Sequence, residues 1–180
     1  MIGVHLGGGI SVIAIEKGQL VYVNNALLRE GPFTTERAGT LPIEGVIDFC
    51  FKKGMTPEIA KKEFTKRSGL VAYIGTNDLR EVEDRVVAGD EKAAFYLDAM
   101  AYRISKTIGE MASVLKGNVD AIFLTGGMAR CPQLVEGIEK RVTFIGKFLI
   151  KPGQFEIIGL GEGVARALNN QSPIHEYKKN

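Results

Sequence analysis

Ile2-Gly3-Val4-His5-Leu6-Gly7-Gly8-Gly9-Ile10-Ser11-Val12-Ile13-Ala14-Ile15 opens the chain with closely spaced, mostly β-branched apolar residues interrupted by three consecutive glycines. Leu20, Val21 and Val23 resume the pattern beyond Gly18. Ile2 to Asn25 therefore reads as three antiparallel strands joined by tight turns. A second apolar run, Val119 to Leu124, is followed by Thr125-Gly126-Gly127 and by a helical stretch from about Pro132 to Arg141. A last strand over Thr143–Ile150 and a final helix from about Phe155 to Leu168 complete the order. Helices that cross between the last strands imply that those strands run parallel, which makes the chain α/β with a mixed five-stranded sheet flanked by helices.

Between these two halves the chain is helical. Gly31 to Pro42 lacks apolar periodicity and is expected to be an exposed loop leading into a helix near Ile43–Phe51. Thr56-Pro57-Glu58 supplies an N-cap and a first-turn proline for a helix through Phe64. Asn77-Asp78 caps another through Ala88, and Gly89-Asp90 resets the chain for a long helix. Phe95, Ala99, Met100, Ile104, Ile108, Met111, Ala112 and Leu115 mark its expected buried face, and Lys116-Gly117-Asn118 ends it. Residues 1–170 form one expected domain and 171–180 a polar tail.

Composition narrows the function. With 180 residues and 45% hydrophobic content the chain can bury one core, but it has no room for a second domain of ordinary size. A net charge of +2 without long basic runs argues against a nucleic-acid or membrane surface. Cys50 and Cys131 stand far apart, and with only His5 and His175 they cannot build a His/Cys metal cluster. A soluble, reduced, cytoplasmic protein acting on small molecules is the expectation.

The glycines point to where. At the Gly7-Gly8-Gly9 turn a backbone free of Cβ atoms can approach a ligand and cradle phosphate oxygens, although a flexible hairpin turn explains the same residues. Thr125-Gly126-Gly127 lies at the carboxyl end of a strand, where open α/β sheets bind ligands, yet it has neither a P-loop lysine nor dinucleotide-fingerprint spacing. A closely packed strand-to-helix turn remains equally open for it.

Five motifs in order resemble butyrate kinases: Val4–Val12, Val23-Asn24-Asn25-Ala26, Glu30-Gly31-Pro32-Phe33 with Glu36-Arg37-Ala38-Gly39-Thr40-Leu41-Pro42, Gly69–Asp78, and Val119–Gly127. The resemblance covers nearly the whole chain. It implies the ribonuclease H-like domain of the acetate and sugar kinase, heat-shock protein 70 and actin superfold, and specifically the carboxyl-terminal nucleotide-binding domain of a two-domain kinase. The amino-terminal domain, which in the family carries the first phosphate loop and much of the acid pocket, is absent from this sequence.

By that resemblance the activity is reversible transfer of a phosphoryl group between ATP and a short-chain carboxylate such as butyrate, with ADP and an acyl phosphate as products. His5 and Arg37 match the catalytic histidine and arginine. Gly7, Gly8 and Gly9 match the residues holding the β- and γ-phosphates. Asn77, Asp78, Leu79 and Arg80 match the segment on the adenosine, with Gly126, Gly127 and Met128 on its other side. Glu156 matches an acidic residue associated with Mg²⁺. The missing domain and a homo-oligomeric partner are also implied. A non-catalytic nucleotide-binding or assembly module derived from such a kinase is the alternative. Ala38, Met128-Ala129-Arg130-Cys131 and Phe155 depart from the family pattern.

Overall fold

Alternation of apolar side chains builds the first three strands: β1 (Ile2–Leu6), β2 (Ile10–Glu16) and β3 (Gln19–Val23). The computed structural model describes residues 1–27, 30–153, 155–171 and 173–174, and the backbone but not the side chain of Glu156. Most of the polar tail thus lies outside the described residues. With β4 (Ala121–Thr125) and β5 (Lys147–Ile150) the strands form one sheet in the order β3-β2-β1-β4-β5. β1 pairs antiparallel with β2 and β2 with β3, while β1–β4 and β4–β5 are parallel. This is the mixed sheet expected from the sequence.

Register decides which residues form the core. Ile2 sits opposite Ala14 and Ile122, and Val4 opposite Val12 and Leu124, so these side chains share one buried face. Over that face pack the long helix α5 (Glu91–Val114) and α6 (Pro132–Val142), whose Leu134, Val135, Ile138 and Val142 are buried. Gly3, His5, Ser11, Ile13, Phe123 and Thr125 occupy the opposite, half-buried face.

The helices between the two halves of the sheet are α1 (Ile43–Lys52), α2 (Pro57–Lys66), α3 (Leu70–Ile74), α4 (Leu79–Val87) and α5 (Glu91–Val114). Thr56 caps α2, Asp78 caps α4 and Asp90 caps α5 through their side-chain oxygens, in line with the sequence. A final helix, α7 (Glu156–Leu168), leaves Ile157, Leu160, Val164 and Leu168 exposed.

Four features differ from the sequence reading. Phe95 is not on the buried face of α5, which runs instead through Ala93, Leu97, Met100, Ile104, Ile108 and Met111; Phe95 is 66% exposed and packs edge-on against Tyr96. The last strand starts at Lys147, because Thr143 donates its N–H to Glu139 and Ile145 to Val142, finishing α6 before the chain extends. α3, which has no cap signal in the sequence, forms after Gly69.

The fourth is the loop from Gly31 to Pro42, whose first half is buried rather than exposed. Phe33, Thr34 and Thr35 lie in the interior. The segment after α2 satisfies the Thr34 and Thr35 carbonyls, Leu70 N–H donating to Thr34 O at 3.2 Å and Val71 N–H to Thr35 O at 3.0 Å, while Ala38 N–H farther along the loop donates to Phe64 O of α2 at 2.9 Å. Gly69, at φ +62°, lets the two segments meet, since a Cβ there would overlap the Thr34 carbonyl oxygen. Gly69→Ala is therefore expected to destabilise the domain by at least ~2 kcal/mol, combining an unfavourable φ with the steric overlap, as measured by urea unfolding. Wild-type stability in that variant would show that the loop does not depend on this contact.

Candidate functional site

Three adjacent glycines close the β1–β2 hairpin, and each has a different neighbour. None of Gly7, Gly8 or Gly9 has a positive φ, so space rather than backbone conformation explains them. A Cβ on Gly7 would come within 2.8 Å of His5 Nε2, and one on Gly9 within 2.9 Å of an Arg37 terminal nitrogen. A Cβ on Gly8 would meet nothing within 4 Å. The turn thus makes room for His5 on one side and Arg37 on the other, and Gly8 faces open space.

That space is a cleft of about 540 Å³ lined by Leu6, Gly7, Gly8 and Thr35, by Asn77, Asp78, Leu79, Arg80 and Glu83, and by Gly127, Met128, Arg130 and Cys131. Three segments far apart in the sequence meet in it. The hairpin tip forms one end, the start of α4 one wall, and a 3₁₀ turn over Gly127–Arg130 the other. Gly126 stands just behind that turn at φ +95°, packed so tightly on the Leu6 main chain that no side chain fits. Gly127 resembles Gly8 in having nothing within 4 Å of a Cβ position.

Arg37 and His5 flank the glycine turn without lining this cleft. Arg37 donates to Ala26 O at 2.9 Å, and its Nε is buried without a hydrogen-bond partner among the described residues. No carboxylate pairs with it among those residues. Glu36 is engaged by Lys66 at 2.7 Å, and Glu30 accepts from Asn25 N–H. The Arg37 loop is fixed by Thr34, whose hydroxyl donates to Gly8 O at 3.2 Å and accepts from Arg37 N–H at 3.1 Å.

At the α4 wall, Asp78 accepts from Arg80 N–H at 3.0 Å and holds the Arg80 guanidinium at 3.1 and 2.8 Å. The side-chain bond to Arg80 keeps the Asp78 carboxyl below its usual range and raises Arg80 in return. Cys131, the residue before α6, is buried; desolvation pushes its thiol up to about 12, with the neighbouring Glu83 carboxylate acting in the same sense.

Gly7, Gly8, Asn77, Asp78, Leu79, Arg80, Gly127 and Met128, expected from the sequence, converge on the cleft. Gly9 and Gly126 support it from behind. Glu156 opens α7, and its side chain lies outside the described residues; among the described residues no group of three or more His, Cys, Asp or Glu could hold a metal ion. Thr34, Thr35, Glu83 and Cys131 were not legible as site residues. Glu83 alone left a signal, lying four positions after Leu79 on the same face of α4.

Residues 1–149 match the acetokinase family. The chain is 48% identical over 177 residues to a protein of Caldanaerobacter subterraneus named probable butyrate kinase 2, covering 98% of this chain and 50% of that protein. It is 43% identical to a probable butyrate kinase of Enterococcus faecalis, with 98% and 49% covered. The chain thus spans about half the length of the curated relatives it matches. In structure it is similar to Porphyromonas gingivalis acetate kinase, with a TM-score of 0.80 at 22% identity over 91% of this chain and 48% of that one. Entamoeba histolytica acetate kinase gives the same TM-score at 19% identity, over 94% and 50%. These likenesses establish the fold.

The raised pKa of Cys131 has a direct consequence. A thiol that titrates near 12 stays protonated at pH 8, so an alkylating reagent at that pH should modify the more accessible Cys50 and leave Cys131 intact until the protein is denatured. Peptide mapping after labelling checks this, and rapid modification of both thiols would contradict the burial of Cys131.

Proposed function

The chain belongs to the acetokinase family, and we propose that it forms the nucleotide-binding half of an ATP-dependent carboxylate kinase. The observation that carries this reading is the convergence of Gly7-Gly8, the start of α4 and Gly127-Met128 on one cleft, with an acid-free arginine beside its glycine end. A nucleotide fits such a site. Its phosphates would lie over Gly8, where no Cβ intervenes, and its nucleoside between Leu79 and Arg80 on one wall and Gly127 and Met128 on the other.

This orientation puts the terminal phosphate toward His5 and Arg37. In-line phosphoryl transfer depends on alignment and on positive charge at the equatorial oxygens. Arg37 is suited to that, being fixed through Ala26 O and Thr34 while no carboxylate among the described residues neutralises it. His5, held beside Gly7, would donate a hydrogen bond to the same oxygens. Nucleotide-bound Mg²⁺ would lower the charge on the phosphates, with Glu156 as the chain's contribution by family resemblance.

The acceptor is a short carboxylate, and butyrate is the reading favoured by relatives named as probable butyrate kinases. Its pocket is completed by the part of the relatives' length that this chain does not span. The exposed apolar stripe of α7 and the half-buried sheet face are suited to packing against that part, or against a second copy.

Calorimetric titration of the chain with Mg²⁺-ADP tests the site. Gly8→Val and Gly127→Val place a Cβ where nothing lies within 4 Å, so both variants should stay folded while binding falls at least tenfold. Unchanged affinity would remove the nucleotide from this cleft. In a preparation supplied with the remaining half, Arg37→Ala should lower turnover on the order of a thousandfold with little change in nucleotide affinity. Near-normal turnover would take Arg37 out of the mechanism.

A further inference from the structure

The cleft contains a carboxylate that the chemistry above does not use and that the fold engages through the Cys131 thiol. Glu83 is half-buried, lies one helical turn beyond Leu79 on α4, and lines the same cavity as Gly8 and Met128. An acidic side chain is unexpected in a site for an anion. Among the described residues no lysine or arginine forms an ion pair with it, Arg130 of the same cleft included. Arg80, three positions before it, is committed to Asp78 through two side-chain bonds, and Arg85 to Asp90 at 2.7 Å. Its neighbour is the Cys131 thiol at the start of α6, which remains protonated and so brings no positive charge.

Its surroundings restrict what it can recognise. Leu79 and Met128 come from opposite walls of the cleft and offer apolar surface suited to the two faces of a flat ring. Asp78, the other carboxylate in the cleft, already accepts from Arg80 and caps α4. Glu83 takes a hydrogen bond from the Cys131 thiol, but its carboxylate has further lone pairs to offer. One turn beyond Leu79 on the same face of α4, it can meet the edge of a ring packed on Leu79 and Met128.

We propose that Glu83 is a specificity-determining residue that accepts a hydrogen bond from the exocyclic amine of the nucleobase and so selects a 6-amino over a 6-oxo purine. This rests on the nucleotide reading of the cleft. A 6-amino group donates to the carboxylate, whereas a 6-oxo group sets a carbonyl oxygen against it and leaves both acceptors unpaired.

The test compares Mg²⁺-ADP with Mg²⁺-IDP by calorimetric titration of the wild-type chain and of Glu83→Gln. A glutamine amide can present either its oxygen or its NH₂, so it keeps the shape of the side chain and loses the discrimination. Wild type should bind ADP tenfold or more tighter than IDP, the range expected for one hydrogen bond to a charged group, and Glu83→Gln should bring the two within about threefold. An ADP-to-IDP ratio that is the same in both proteins, whether or not overall affinity falls, overturns the role of Glu83 and leaves the nucleotide site standing. Failure of wild type to bind either nucleotide overturns the site itself, and the role of Glu83 with it.

Discussion

The bond from the Thr34 hydroxyl to the Gly8 carbonyl is the constraint on which the rest of the site depends. Thr34 is 2% exposed, and its single oxygen joins the tip of the β1–β2 hairpin to a loop that has no regular structure of its own. The same oxygen accepts from Glu36 and Arg37 N–H at 3.3 and 3.1 Å, so it closes a turn that fixes the backbone carrying Arg37. A loop buried in this way must find partners for its main-chain groups, since each unpaired one costs about as much as a lost hydrogen bond. Those partners are found at Phe64, Ser68, Leu70 and Val71, which is why the helices after the loop are part of the site's support.

Asn24 repeats the device on the other side of the hairpin. It is 7% exposed, accepts from Val12 N–H at 2.6 Å and donates to Ile10 O and Glu30 O at 3.0 and 3.1 Å. Three hydrogen bonds offset the desolvation of its amide, and they connect β2 to the start of the Arg37 loop. Gly31, at φ +86°, leaves room for that amide, which a Cβ would approach to 2.5 Å. The hairpin tip is thus held from both flanks, and Gly8 is left as its outward-facing residue.

The sheet was legible in the sequence because strands announce themselves locally. Alternation through Ile2, Val4 and Leu6 and the unbroken run ending at Leu124 depend only on which face is buried, and the parallel pairing follows from the helices between. The caps at Thr56, Asp78 and Asp90 were legible for the same reason, each being satisfied within three residues. What could not be read depends on distant partners. Phe95 fits a helical apolar spacing, but α5 turns Ala93 and Leu97 inward instead, to match the sheet beneath it. Thr34 and Thr35 look like ordinary loop threonines until Gly69 is packed against them. Cys131 and Glu83 are 48 positions apart, and only the packing of α4 against the start of α6 makes them neighbours in a cleft.

The charges in and around that cleft are unevenly placed, and the asymmetry favours one direction for an elongated anion. Arg37, beside Gly9, has no acidic partner among the described residues, and Glu83, which lines the cleft with Arg80 and Arg130, makes no ion pair among them. Two unit charges about 4 Å apart interact by roughly 4 kcal/mol at the effective dielectric of a protein surface. Phosphates placed beside Glu83 would suffer a repulsion of that order, and they would be attracted to Arg37 by as much at similar distance. Shape acts in the same sense, because the backbone is bare at Gly8, where tetrahedral oxygens need close main-chain approach, and the apolar side chains are at Leu79 and Met128. For a nucleotide bound as proposed, electrostatics and sterics favour the same orientation, with its terminal phosphate toward His5 and Arg37.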